Sequence, residues 1–275
     1  MVVASSPDQP RESRLEPRHS EPRRLLDGKR ALVTGGGRGI GRVIARELAR
    51  AGVHVTILGR TAQSLSDAVA AGDASAFALA DVTDAAALEV AIRATETAGP
   101  IDILVNNAGH AETGPAKRLE RGQFDRMIAV NLTAAFEGIR LVLPGMLARG
   151  QGRIITIAST AGLTGYPYVA AYCAAKHGVV GLTRALAKEV ATSGVTINAV
   201  CPGFTETDLV AGSIETIVAK TGRTPDAALA DLTRSMPIGR LIRPEEVAHA
   251  VLWLASDEAA AVTGLALPVA GGEIA

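Results

Sequence analysis

Short β-branched or apolar runs alternate with longer stretches of helical spacing through most of this 275-residue chain. No other feature constrains the fold as strongly. The runs are Ala31–Thr34, His54–Leu58, Phe77–Ala80, Ile103–Val105, Arg153–Ala158 and Val195–Val200. Runs this short between helices of about ten residues or more build βαβ units around a mostly parallel sheet. The runs are apolar nearly throughout, as strands are when helices cover both faces. The expected architecture is one doubly wound α/β domain of Rossmann type, residues 28–275. Two long helices are expected, at about 123–149 with Pro144 kinking or ending the run, and at about 168–192. Residues 204–236 break the rhythm with Gly212, Gly222, Pro225 and two short helical stretches. That segment reads as an insertion over a site.

Residues 1–27 differ from the rest. Pro7, Pro10, Pro17 and Pro22 lie among balanced charges, with too few apolar residues to offset the entropy of ordering, so a disordered tail is expected. It has no apolar stretch for a secretory signal, and its acids do not suit a transit peptide. Lys plus Arg and Asp plus Glu each total 28, a net charge of zero. Binding to nucleic acid or to an anionic membrane surface needs a basic excess, so neither is expected. No apolar run reads as the roughly 18 residues of a membrane span. Cys173 and Cys201 make no disulfide scaffold and lack metal-type spacing, which points to a reducing, cytoplasmic setting and no metal.

The first strand runs into Thr34-Gly35-Gly36-Gly37-Arg38-Gly39-Ile40-Gly41, and a helix follows directly. Strand, glycine turn and helix N-terminus together make an anion site, because unpaired N–H groups and the helix dipole face a phosphate. The spacing, set by Gly35, Gly39 and Gly41, is G-x-x-x-G-x-G rather than G-x-G-x-x-G. An NAD site usually ends its second strand on an acid that binds the ribose hydroxyl. Here the strand ends Leu58-Gly59-Arg60. Arg60 and Arg38 can instead bracket a 2′-phosphate, so NADP(H) is expected over NAD(H).

With these residues the chain resembles the short-chain dehydrogenase/reductase superfamily over roughly residues 28–273. The motifs fall in the family's order: the glycine loop, Asp81-Val82 after the third strand, Asn106-Asn107-Ala108-Gly109 after the fourth, and Asn131 in the long helix. Ser159 ends the fifth strand, Tyr172-x-x-x-Lys176 follows 13 residues later, and Pro202-Gly203 with Thr207 follows the sixth. Within the superfamily the chain is most similar to 3-oxoacyl-acyl-carrier-protein reductases and aromatic polyketide ketoreductases, through Ile157–Thr160, Tyr172–Gly181, Asn198–Thr207 and Pro237–Arg240.

The resemblance implies that Tyr172 protonates a substrate oxygen while Ser159 holds that oxygen. Lys176 would also bind the nicotinamide ribose, and Asn131 would hold a water linking Lys176 to solvent. It implies that Asp81 and Val82 lie near the adenine and that Asn107, Ala108 and Gly109 wall the adenosine ribose. Pro202 and Gly203 would back the nicotinamide, with Thr207 at its carboxamide. Tyr172 and Lys176, four apart on a helix, share a face. A phenol titrates near pH 10 when unperturbed, and a neighbouring ammonium together with an oxidised nicotinamide is expected to lower it.

The resemblance implies a small or carrier-bound ketone as substrate, with a 3-oxoacyl thioester or polyketide-like compound favoured. The alternatives are an alcohol dehydrogenase running oxidatively and a non-catalytic dinucleotide sensor. Selectivity is expected from His110–Gly114, Gly162–Tyr168, Phe204 and 206–236. In those segments Leu163, Tyr166, Leu209 and Ile214 are apolar, and Glu206, Asp208 and Glu215 are acidic. Arg118, Arg121 and Arg126 offer a basic rim for a carrier. His177 and Cys173 read as structural, and Trp253 reads as core. Small residues on the two long helices suit close packing between subunits, and the resemblance implies a homotetramer or homodimer.

Overall fold

The computed structural model describes residues 26–274 except 208, 209, 211, 213, 214, 216, 217, 220 and 235. Residues 1–25 of the expected tail lie outside that set. Leu26, on the tail side of the expected boundary, is buried in the core.

Seven parallel strands form a single sheet: β1 (Arg30–Thr34), β2 (His54–Gly59), β3 (Ala76–Leu79), β4 (Ile103–Asn106), β5 (Gly152–Ile157), β6 (Val195–Pro202) and β7 (Ala266–Val269). Their order is β3-β2-β1-β4-β5-β6-β7. The sequence had suggested six strands, and β7 is the addition. It pairs with β6 from Ala199↔Ala266 to Pro202↔Val269. Pro268 suits it to the sheet edge, where the missing N–H is not needed.

Alternate residues of each strand feed different cores. Ala31, Val33, Ile103, Val105, Ile155 and Ile157 meet α1 (Gly39–Arg50) and α8 (Pro244–Ala255) on one face. Leu32, Leu104 and Ile154 meet α3 (Ala85–Glu96) and the long helix on the other. This two-sided burial explains why the strands read as continuous apolar runs. The remaining helices are α2 (Ala62–Ala70), α6 (Ala170–Glu189) and α7 (Pro225–Thr233). In the 204–236 insertion, helical backbone also recurs at Val210, Gly212, Glu215, Val218, Ala219 and Thr221.

The first long helix is divided. α4 (Arg121–Ile128) passes through a π-helical turn, Ala129–Thr133, into α5 (Ala134–Arg149). Pro144 stands inside α5 and does not end it. Such a turn adds one residue to the helical register and often marks a functional position; here it carries Asn131. The whole run, Arg121–Arg149, is long and apolar enough to cross a membrane by length and composition, which corrects the sequence reading. It instead lays Ile139, Leu141, Val142 and Met146 against the sheet.

Trp253 is a second correction. It is 43% exposed, because α8 buries Val247, Ala248, Val251 and Leu254 on its other side. At the start of α3, Asp84 accepts hydrogen bonds from the amides of Ala86 and Ala87, both at 3.0 Å. Asp84→Ala should cost about 1 kcal/mol of stability, read as a shifted urea midpoint at constant slope.

Candidate active site

The strand order reverses between β1 and β4, so the helices that follow those strands cover opposite faces of the sheet and a crevice lies beyond the strands' carboxyl ends. The sequence-predicted residues gather along this edge: Gly35–Gly41 after β1, Arg60 after β2, Asp81 and Val82 after β3, Asn107–Gly109 after β4, Ser159 after β5 and Pro202–Gly203 at the end of β6.

The glycine loop is packed against the protein itself. A Cβ on Gly41 would collide with the Asn107 Nδ2 and the Gly35 carbonyl. Asn107 Nδ2 donates to Thr34 O at 2.9 Å and to Gly35 O at 3.3 Å, and Thr34 Oγ1 accepts from the amides of Asn107 and Ala108, each at 3.0 Å. These bonds lock the β1 and β4 loops together. Gly39 differs: its φ is +53°, and the one atom near its missing Cβ is Thr207 Cγ2 at 3.9 Å. The backbone there is left-handed and open, beneath Thr207.

Helix α1 begins at Gly39 with no side-chain cap and no acid in its first turn. Its first N–H groups therefore remain available to an anion, and the partly buried Ile40 lies in that turn. The residues present fit a dinucleotide phosphate. Arg38 is exposed at the head of the helix. Arg60 is also exposed, and it reaches Asp81 at 3.5 Å. The Asp81 carboxyl is held below its usual range, chiefly by the Thr83 amide at 2.9 Å, with the Thr83 hydroxyl and Arg60 adding to the effect. Val82 is buried beside it.

Tyr172 and Lys176 project from one side of α6. Lys176 is 5% exposed and donates from Nζ to Ile157 O at 2.8 Å. Its Nζ lies over the Tyr172 ring, 5.6 Å from the centroid. The expected lowering of the phenol is not present in the chain by itself. Burial pushes Tyr172 up to about 12, with a hydrogen bond to Ser159 pulling the other way, and burial pushes Lys176 down to about 8. Burial of the phenol outweighs the hydrogen bond from Ser159, and the Lys176 ammonium gives its hydrogen bond to the Ile157 carbonyl.

Ser159 caps a short 3₁₀ turn, accepting from the Ala161 amide at 3.1 Å. Asn131 is 2% exposed. Its Nδ2 donates to His110 O at 2.9 Å and Met127 O at 3.1 Å, while its Oδ1 is buried with no partner. Both that oxygen and Lys176 Nζ lie beside Gly109, the lysine nitrogen 3.7 Å from where a Cβ would stand. A buried acceptor without a partner invites a water or a ligand.

The substrate side is walled by loops. Tyr168, at φ +68°, accepts from the Gly114 amide at 2.8 Å, which ties the 162–168 loop to the 110–114 loop. Tyr166 packs edge-on against Phe204, with centroids 6.3 Å apart. Of the expected basic rim, Arg121 is held by Asp125 and Arg126 by Glu112. His177 is exposed, with Nδ1 2.9 Å from Cys173 O. Cys201 is buried and Cys173 half-buried, both free. Leu209, Ile214 and Asp208 lie outside the described residues. One wall residue was not anticipated. Glu273 accepts a 2.7 Å hydrogen bond from the Tyr166 hydroxyl.

The model of the short chain dehydrogenase family matches residues 29–217. The 3-oxoacyl-(acyl-carrier-protein) reductase FabG of Vibrio cholerae is 42% identical over 252 residues, covering 90% of this chain and 98% of the relative. The D-beta-hydroxybutyrate dehydrogenase of Rhizobium meliloti is 40% identical over 253 residues, covering 89% and 98%. Among solved structures, a variant of actinorhodin polyketide ketoreductase with NADPH superposes with a TM-score of 0.85 at 40% identity, covering 89% of this chain and 97% of that one. With its glycine loop, its serine and its tyrosine–lysine pair arranged along one crevice, the chain belongs to the short-chain dehydrogenase family.

Proposed function

We propose that this chain is an NADP(H)-dependent ketoreductase that converts a ketone to a secondary alcohol. The observation that carries the reading is the buried Lys176 ammonium over the Tyr172 ring, with Ser159 hydrogen-bonded to that tyrosine at the mouth of the crevice. NADP(H), when bound, supplies the hydride. Gly39–Gly41 would hold its phosphates by backbone N–H groups, Arg38 and Arg60 its 2′-phosphate, and Asp81 and Val82 would border its adenine. Asn107, Ala108 and Gly109 would flank the adenosine ribose, Lys176 the nicotinamide ribose, and Pro202, Gly203 and Thr207 the nicotinamide.

On the protein side, Ser159 donates a hydrogen bond to the carbonyl oxygen and stabilises the charge that develops there. Tyr172 delivers the proton to the same oxygen. The unpartnered Asn131 Oδ1 beside Lys176 suits a water through which that proton is replaced. Ketoreductase relatives favour a 3-oxoacyl thioester or a polyketide-like substrate, in a cytoplasmic homotetramer or homodimer.

A panel of 3-oxoacyl thioesters, cyclic ketones, quinones and sugars, followed by NADPH absorbance, tests this reading. Reduction of a 3-oxo ester or thioester is expected, and no oxidation of NADPH by any of them would end it. A second reading, oxidation of a hydroxy acid, has the D-beta-hydroxybutyrate dehydrogenase relative in its favour. A redox sensor without turnover would not need the Tyr172–Lys176 pair.

Arg60→Ala should lower the NADPH over NADH preference in kcat/KM by about tenfold, because a charge-assisted contact to a phosphate is lost. A wild-type enzyme at least tenfold better with NAD(H) would contradict the roles given to Arg38 and Arg60.

A further inference from the structure

The C-terminal segment after β7 folds back over the substrate side of the crevice. The Gly203 amide donates to Val269 O at 3.1 Å, and the Ile238 amide to Gly271 O at 3.0 Å. This places Glu273 between two loops that border the substrate opening. Oε1 takes the Tyr166 hydroxyl at 2.7 Å, and Oε2 lies 2.8 Å from where a Cβ on Gly203 would stand. Tyr166 itself leans on Phe204 and on Thr160, next to Ser159. Oε2 is buried and has no hydrogen-bond partner. Among the described residues, no lysine or arginine forms an ion pair with Glu273. A carboxylate thus stands in the substrate wall with one neutral hydrogen bond and no counter-ion.

We propose that Glu273 is a specificity-determining residue that admits uncharged ketones, esters and thioesters of 3-oxo acids, and turns away free 3-oxo acids. This rests on the ketoreductase reading above. A substrate carboxylate brought into the opening meets a like charge in a partly dehydrated wall, where repulsion is weakly screened. A neutral ester meets none. The wall therefore separates the two chemistries represented among the relatives, carrier-bound oxoacyl groups and free hydroxy acids.

The measurement is the ratio of kcat/KM for ethyl acetoacetate to that for acetoacetate, with NADPH. Wild-type enzyme should favour the ester. Glu273→Gln keeps an acceptor for Tyr166 but removes the charge, and should narrow the ratio by about tenfold. Glu273→Asp keeps the charge and should hold the ratio near that of wild type, which separates charge from packing. A ratio that is unchanged in Glu273→Gln, or that falls equally in Glu273→Asp, overturns the inference while leaving ketone reduction standing. If neither ketone is reduced by any of the three, the ketoreductase reading fails and takes the inference with it.

Discussion

Tyr172→Phe is expected to lower kcat by about a hundredfold to ten-thousandfold, the range set by the loss of a positioned proton donor. NADPH affinity should stay within about threefold of wild type. The substitution keeps the ring on which the Lys176 ammonium rests and keeps the bond from Lys176 to Ile157 O, so the lysine has no reason to move. What disappears is the hydroxyl that pairs with Ser159. Burial raises the Tyr172 pKa to about 12 in the cofactor-free chain, so the phenol carries its proton throughout the neutral range. That is the form a reduction requires. Stopped-flow turnover alongside a fluorescence titration of NADPH separates the two quantities. Unchanged turnover would remove Tyr172 from the chemistry, and a parallel loss of cofactor binding would recast it as structural.

The sequence carried the sheet and the crevice because both are written in local pattern. Apolar runs such as Ile154–Ile157 can be buried on both faces only between helix layers, and a glycine turn between strand and helix has few other uses. Depth was not legible. The i, i+4 spacing of Tyr172 and Lys176 puts them on one face, but it does not say that burial is the largest influence on both or that the ammonium bonds the Ile157 carbonyl. The lowering was expected with an oxidised nicotinamide beside the pair, and in the chain without it burial raises the phenol instead. Trp253 was misread because α8 has apolar residues on both sides, and the sequence does not show which side meets the sheet. β7 was missed because a four-residue run containing a proline looks like a loop until β6 is there to pair with it. Glu273 belongs to no motif. It becomes part of the wall only through a hydrogen bond to a residue 107 positions away, a relation that no window along the chain contains.

Lys176→Met should abolish turnover and yet make the cofactor-free protein more resistant to urea at pH 7. The wild-type ammonium is buried with the Ile157 carbonyl as its acceptor, and no acid among the described residues forms an ion pair with it. Folding therefore costs the dehydration of a charge, which lowers the lysine pKa from 10.5 to about 8. At pH 7 the lysine is protonated in both states, and the folded state bears a penalty on the order of 3 kcal/mol. Between about pH 8 and 10.5 the unfolded chain keeps the proton that the folded chain has shed. Raising the pH through that window thus favours folding, and the penalty fades. Methionine has a similar reach and no charge to dehydrate, so the variant should gain stability at pH 7 and lose this part of the pH dependence. Urea midpoints at pH 7 and pH 9.5 for both proteins make the comparison. A variant that is less stable at pH 7, or one whose stability keeps the wild-type slope, would show that the ammonium is already well compensated in the empty site. The chemistry would then draw on no stored cost. If the variant behaves as expected, the burial that destabilises the cofactor-free protein is what holds the cation beside the phenol, and under the proposed ketoreductase reading ribose hydroxyls would offset that cost.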